Sequence, residues 1–221
     1  DPPDDVRVTN PPTNPQLLEE LGKKMIEYNY DLRKLVRDIC TSYTYQMTTH
    51  PRDPENNDAR NFSHAQVRRL TSEQMLDAIV KVTGNDVKFN NLPKGARASQ
   101  VAGGNSGVYF LSVFGRPLRE TVCTTEREGD PTLSQSLHLI NGGTIDGAIK
   151  GAGGMLDTLL AAETPADQII DRLYLAALSR TPTETEKTEL NAYVEAAENK
   201  REALEDVFWS MLNSKEFIFQ H

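Results

Sequence analysis

TPADQIIDRLYLAALSRTPTETEKTELNAYVEAAENKREALEDVFWSMLNSKEFIF, residues 164–219, decides the fold. Thr164-Pro165 marks a helix start, and Ile169, Ile170, Leu173, Tyr174 and Leu178 recur at the spacing that lines one helical face. Thr183 and Glu186 form a capping box for a second helix carrying Leu190, Tyr193 and Val194. A third helix carries Leu204, Val207, Phe208, Met211 and Leu212. Asn213-Ser214 then breaks the pattern and redirects the chain so that Phe217 and Phe219 can dock. Three amphipathic helices packing on one another, with the last aromatic residues in their core, is the consistent reading.

The same pattern extends toward the N-terminus. Asn14-Pro15 starts a helix through about Tyr28 with Leu17, Leu18, Leu21, Met25 and Ile26, and Asp31 opens another with Leu32, Leu35, Val36, Ile39 and Tyr43. Residues 50–61, HPRDPENNDARN, have the composition of a surface loop. Thr71 and Gln74 box a helix that stops at Gly84. Residues 85–106 form an excursion long enough to be either functional or packed as an ordered lid. Asp130-Pro131 is expected to cap a helix bearing Leu133, Leu137, Leu139 and Ile140, closed by Asn141-Gly142 as a left-handed C-cap. The glycine-rich residues 141–154, NGGTIDGAIKGAGG, then separate this part from the final third. Strand alternation is sustained nowhere. The fold class is all-α, a multi-helix bundle with long ordered loops and room for one minor β element near Tyr109. Residues 1–150 read as a helical domain with long loops, and 151–221 as the three-helix unit packed on it in one continuous domain.

Composition narrows the function classes. The 221 residues are 38% apolar and 25% charged, ordinary for a globular protein with a real core. Thirty-two acidic against 24 basic residues give a net charge of −8, with the bases scattered among acids, so nucleic acid is not an expected partner. No apolar run approaches the length of a membrane-spanning helix. Cys40 and Cys123 are the only cysteines; without a spacing signal they read as two buried free thiols rather than a disulfide, and C-x-x-C-H is absent. No metal or other cofactor is expected.

Residues 110–128, FLSVFGRPLRETVCTTERE, are the chemically densest stretch. Arg116, Arg119, Glu120, Glu126, Arg127 and Glu128, with Cys123, could line a pocket in which arginines grip an anionic or carbohydrate ligand. The alternation of sign favours the other reading, a salt-bridge network that locks the loop onto the core. His138 could join Cys123 as a ligand or base, although a lone histidine on an apolar helix is more often a core residue hydrogen-bonded through one nitrogen. His50, His64, Asp53, Glu55, Asn57 and Asp58 could hold calcium, but their spacing is not that of an EF-hand and a solvated loop is the better reading. The glycine-rich stretch completes neither phosphate-binding motif. Tyr28, Tyr30, Tyr43, Tyr45 and Trp209 could stack on a sugar, yet aromatics at helical spacing are usually core. No catalytic motif assigns a reaction class.

The segments VTNPPTNPQLLEELG, YDLRKLVRDICTSYTYQ, RRLTSEQMLDAIVKVTG, FGRPLRETVCTTERE, PTLSQSLHLING, RLYLAALSRTPTETE and ALEDVFWSMLNSKEFIFQH together resemble the planctomycete PSD-type C-terminal domain family, the domain of unknown function numbered fifteen fifty-three. The resemblance runs in order along nearly the whole chain. The glycine-rich stretch after Asn141 looks longer and looser than the family pattern. The resemblance implies a cell-envelope or otherwise exported location and a multidomain parent that carries a planctomycete-type cytochrome c module. It supplies no catalytic residues. The expected function is a non-catalytic helical scaffold or binding module linked to polysaccharide handling, with the other domains of the parent as partners. The alternative is part of a redox or hydrolytic enzyme whose site other domains complete.

Overall fold

The computed structural model describes residues 7–51, 62–102, 106–117 and 132–220. Contacts divide the chain at 68/69 into two compact units. The 150/151 position falls inside the second of them.

In the first unit, α1 (Pro15–Glu27) begins where Asn14 accepts a hydrogen bond from the Leu17 amide at 3.0 Å, with Pro15 in the first turn. Asn29 and Tyr30 take left-handed backbone angles, φ 50° and 63°, that turn the chain, and Asp31 caps α2 (Leu32–Cys40) by accepting from Arg33 and Lys34. Leu21, Met25 and Tyr28 of this hairpin, with Leu35 and Ile39, are half-buried, and the Tyr28 hydroxyl donates to Asp38. Among the described residues these two short helices pack on each other, and neither contains a fully buried residue. That geometry corrects two expectations. α2 stops at Cys40 instead of reaching Tyr43, and Cys40, one step around the helix from Ile39, is exposed rather than a core thiol. Tyr30, Tyr43 and Tyr45 are exposed as well.

The second unit holds the core. It opens at Arg69, the second residue of β1 (Arg68–Arg69), and continues into α3 (Ser72–Thr83), whose capping box pairs Thr71 with Gln74 and whose end is the left-handed Gly84, φ 75°. The excursion that follows is anchored from α3: both carboxylate oxygens of Asp77 accept from a 3-10 turn (Ala98–Gln100), through the Ala98 amide at 2.6 Å and the Ser99 hydroxyl at 2.9 Å. Phe89 and Val101 are thereby buried. The apolar stretch around Tyr109 is α4 (Tyr109–Val113), a helix and not a strand; the minor β element lies where β1 pairs with β2 (Phe219–Gln220).

Thr132, rather than Asp130, caps α5 (Leu133–Asn141), because its hydroxyl accepts from Gln135 in a capping box. Gly142 is extended, φ −74°, and is not a left-handed cap. Its glycine identity answers a close approach: a Cβ there would lie 2.1 Å from the His138 carbonyl oxygen and 2.8 Å from His138 Nδ1. The glycine-rich stretch is itself helical, as α6 (Gly143–Lys150), with Ile145, Ala148 and Ile149 buried, followed by α7 (Met155–Ala161). Small residues let these helices sit close to α3, where Asn85 Nδ2 donates to the carbonyls of Ala148 at 2.7 Å and Gly151 at 3.2 Å.

The final third follows its sequence. α8 (Ala166–Leu178), α9 (Glu184–Ala196), α10 (Lys200–Leu212) and α11 (Lys215–Ile218) pack as expected, with Phe208 and Ile170 fully enclosed and Phe217 and Ile218 buried. Tyr193 departs from the pattern: it is 49% exposed, its hydroxyl donating to Asp206 at 3.0 Å. Arg180 ties the group together. Left-handed Ser179, φ 57°, ends α8 and is followed by a guanidinium that bonds Glu186 through two nitrogens (2.8 and 2.9 Å) and Glu216 through two more contacts (2.6 and 2.9 Å), over the Tyr174 ring.

Arg180 and the capping hydrogen bonds from Thr183 hold the Glu186 carboxyl at about 2, below its ordinary 4.5. A depressed carboxylate stabilises the fold fully above its unfolded value and loses that contribution as pH falls through the folded one. The stability gap between the parent and Glu186→Gln should therefore be constant near neutrality and close between about pH 4.5 and 2. Thermal melts across that range check it; a gap unchanged at the acid end would remove Arg180 from the account.

Candidate functional site

Of the residues singled out in the charged stretch, the structure locates Arg116 and, beyond it, His138; Arg119, Glu120, Cys123, Glu126, Arg127 and Glu128 lie outside the described residues. Arg116 follows the left-handed Gly115, φ 76°, and its amide closes the end of α4 on the Leu111 carbonyl at 2.9 Å. That turn sends the side chain inward. Arg116 Nη2 donates to the Val101 carbonyl at 2.7 Å, and Nε lies 3.6 Å from Glu73 Oε1, with the two side chains only 2% and 9% exposed. Glu73 sits in the first turn of α3, where the helix dipole favours a negative charge, and receives the Ser72 hydroxyl at 3.0 Å. Arg116 is thus enclosed and engaged by Glu73 and the Val101 carbonyl. Among the described residues its acidic partner, Glu73, is 43 positions earlier in the chain.

His138 faces α4. Its ring packs edge-on against Tyr109, Phe110 and Phe114 at centroid distances of 5.5, 5.6 and 6.1 Å, and Nε2 shares a 3.0 Å hydrogen bond with the Thr144 hydroxyl. This is a half-buried histidine satisfied through one nitrogen. Burial pushes its pKa below the ordinary 6.5. Arg116 and His138 share α4 as a neighbour but are held by different partners.

Sequence reasoning missed Gln135. Its side chain is nearly enclosed, 4% exposed, and joins three elements: Oε1 accepts from Arg69 and from the Thr132 amide, while Nε2 donates to the Val113 carbonyl at 3.1 Å. The capping-box pattern T-x-x-Q predicts the Thr132 contact alone; the other two depend on tertiary placement. Of the calcium candidates, Asp53, Glu55, Asn57 and Asp58 lie outside the described residues, whereas His50 and His64 contact Thr48 and Ser63 beside them in sequence. Among the described residues no group of three or more His, Cys, Asp or Glu gathers as a metal site, and no helix is long and apolar enough to cross a membrane.

Concave surface lies elsewhere. An open cleft of about 490 Å³ runs between α7, α8, α9 and α10 over Leu160, Ile169 and Leu204, rimmed by Asn191, Glu195 and Lys200. A second, of about 520 Å³, lies beside α6 and α10.

Among the described residues, the buried charges Arg116, Glu73 and Glu205 of this helical unit each meet a protein partner. The chain belongs to the PSD1 family, described as a protein of unknown function (DUF1553), whose model matches residues 1–194. α10 and α11 lie beyond the matched residues. No curated protein and no solved structure matches the chain.

Two outcomes follow. Arg116→Ala leaves Glu73 without its buried counter-charge and is expected to cost about 3–5 kcal/mol, while Arg116→Met with Glu73→Met is expected to recover most of that loss. Chemical denaturation of the three variants decides it; a double variant as unstable as the single one would refute the pairing. For His138, the unfolded chain takes up its proton first as pH falls. Stability should hold above about pH 6.5, drop as pH passes from there to the lower folded value, and then level off. His138→Gln is expected to flatten that part of the profile in melts between roughly pH 7 and 5.

Proposed function

We propose that this domain is a non-catalytic helical scaffold or binding module of a larger exported cell-envelope protein, one that handles polysaccharide outside the cytoplasm. The observation that carries this reading is the burial of Arg116 against Glu73 and the Val101 carbonyl. Arg116, one of the arginines that the sequence offers for gripping an anion, is engaged in holding α3, the excursion and α4 together. The Arg180 cluster does the same for α8, α9 and α11. The exported location and the accompanying domains follow from the family resemblance, and the partners under this reading are those domains.

The test is made in the parent protein. Removal of residues 69–220 is expected to lower the yield of folded protein in the exported fraction, while any parent that does fold keeps the activity of its other domains. The Arg116→Met, Glu73→Met double variant is expected to leave both yield and activity near the parent's. A folded, correctly exported double variant that has lost turnover would instead make this segment part of an active site.

A further inference from the structure

The second cleft lies at the end of an apolar track. On α5, Leu133, Leu137 and Ile140 fall at i, i+4 and i+7 and are 75%, 50% and 57% exposed. They form a strip about 10 Å long on the side of the helix away from buried Gln135. Ile140 is also a wall of the cleft, where Ile149 and the half-buried Trp209 join it. The rim is acidic: Asp146, Glu202, Glu205 and Asp206 stand against Lys150 and the Arg201 that binds Glu205, four carboxylates to two cations, an excess of two negative charges. Each carboxylate has a protein partner, Lys150 on Asp146 (2.7 Å), Arg201 on Glu205 (2.9 Å), Tyr193 on Asp206 (3.0 Å) and Asn199 on Glu202 (2.8 Å). Lys150 and Arg201 answer the charges of Asp146 and Glu205, whereas Glu202 and Asp206 have only neutral donors and carry the remaining excess.

We propose that this groove docks a basic amphipathic peptide segment of a partner protein. The segment's apolar residues lie along Leu133, Leu137 and Ile140, and a lysine or arginine enters the carboxylate rim beside Trp209. Charge complementarity selects this occupant. A neutral apolar segment would gain the strip but leave the rim unanswered, and an acidic one would be repelled. An aromatic wall next to exposed carboxylates suits a guanidinium or ammonium with an aliphatic stem. The groove shares no residue with the Arg116 or Arg180 clusters, so the proposal stands or falls separately from the scaffold reading.

Trp209 is the only tryptophan in the chain, so its emission reports on the cleft directly. The intact chain is titrated with a synthetic amphipathic peptide of leucines and arginines, and with a twin in which citrulline replaces arginine. The expected result is a saturable change in emission with the arginine peptide, weakened by added salt and weakened about tenfold in Glu202→Gln, Asp206→Asn, whose two exposed charge partners are lost. Leu137→Glu on the track is expected to weaken binding as well, with melting curves of all variants superimposing on the parent's. Equal binding of the citrulline twin, binding indifferent to both sets of substitutions, or no change in emission with either peptide would overturn the proposal. So would an emission that shifts with protein concentration alone, which would give the groove to a second copy of the chain.

Discussion

The helices described between residues 143 and 218 are arranged so that α10 can be enclosed. Its Ala203, Leu204, Val207, Phe208, Met211 and Leu212 are all buried, and α6, α7, α8, α9 and α11 each pack against it. A helix with this much apolar surface cannot be satisfied by a single neighbour, and burying each large side chain contributes about 1.5–3 kcal/mol. The short α6 and α7 exist to close the side that α8 and α9 leave open. The glycine-rich stretch serves this end, because small residues allow α6 and α7 to come close to α3 and its Asn85 hook.

Polar groups set which of many apolar packings is adopted. Leucine and phenylalanine tolerate sliding; a guanidinium with two carboxylates at fixed distances does not. Arg180 fixes the turn between α8 and α9 relative to α11, Gln135 fixes α5 relative to α4 and Arg69, and Arg116 fixes α4 relative to α3. A buried pair such as Arg116 with Glu73 is costly to desolvate, so its value lies in register more than in net stability.

Helices were legible wherever a cap and an apolar period agreed. Thr71 with Gln74, Thr183 with Glu186 and Asn14 with Pro15 each mark a helix start that the structure reproduces. Legibility failed where composition misled: residues 141–154 are rich in glycine, yet Ile145, Ala148 and Ile149 fall on one face and are buried, so tertiary packing overrode weak propensity. It failed also where a pattern was right and its direction wrong. Leu133, Leu137 and Ile140 make a clear stripe, but Gln135 and Leu139 turn the opposite face of α5 inward, because Gln135 has three hydrogen bonds to make there. At the candidate site, the sequence showed that Arg116 needs a partner but could not name Glu73, since a contact across 43 positions leaves no mark in local spacing.

The pairing of β1 with β2 has a consequence for how this unit assembles. Leu70 donates its amide to the Ile218 carbonyl at 3.0 Å, joining positions 148 residues apart. The helical hairpins between them form from local contacts and can do so early, whereas this junction carries the loop-closure entropy of almost the whole unit. α11 and β2 are therefore a closing clasp. During synthesis α3 emerges long before its final neighbours exist, and the core around Phe208 stays open until α11 and β2 have followed α10 out of the ribosome.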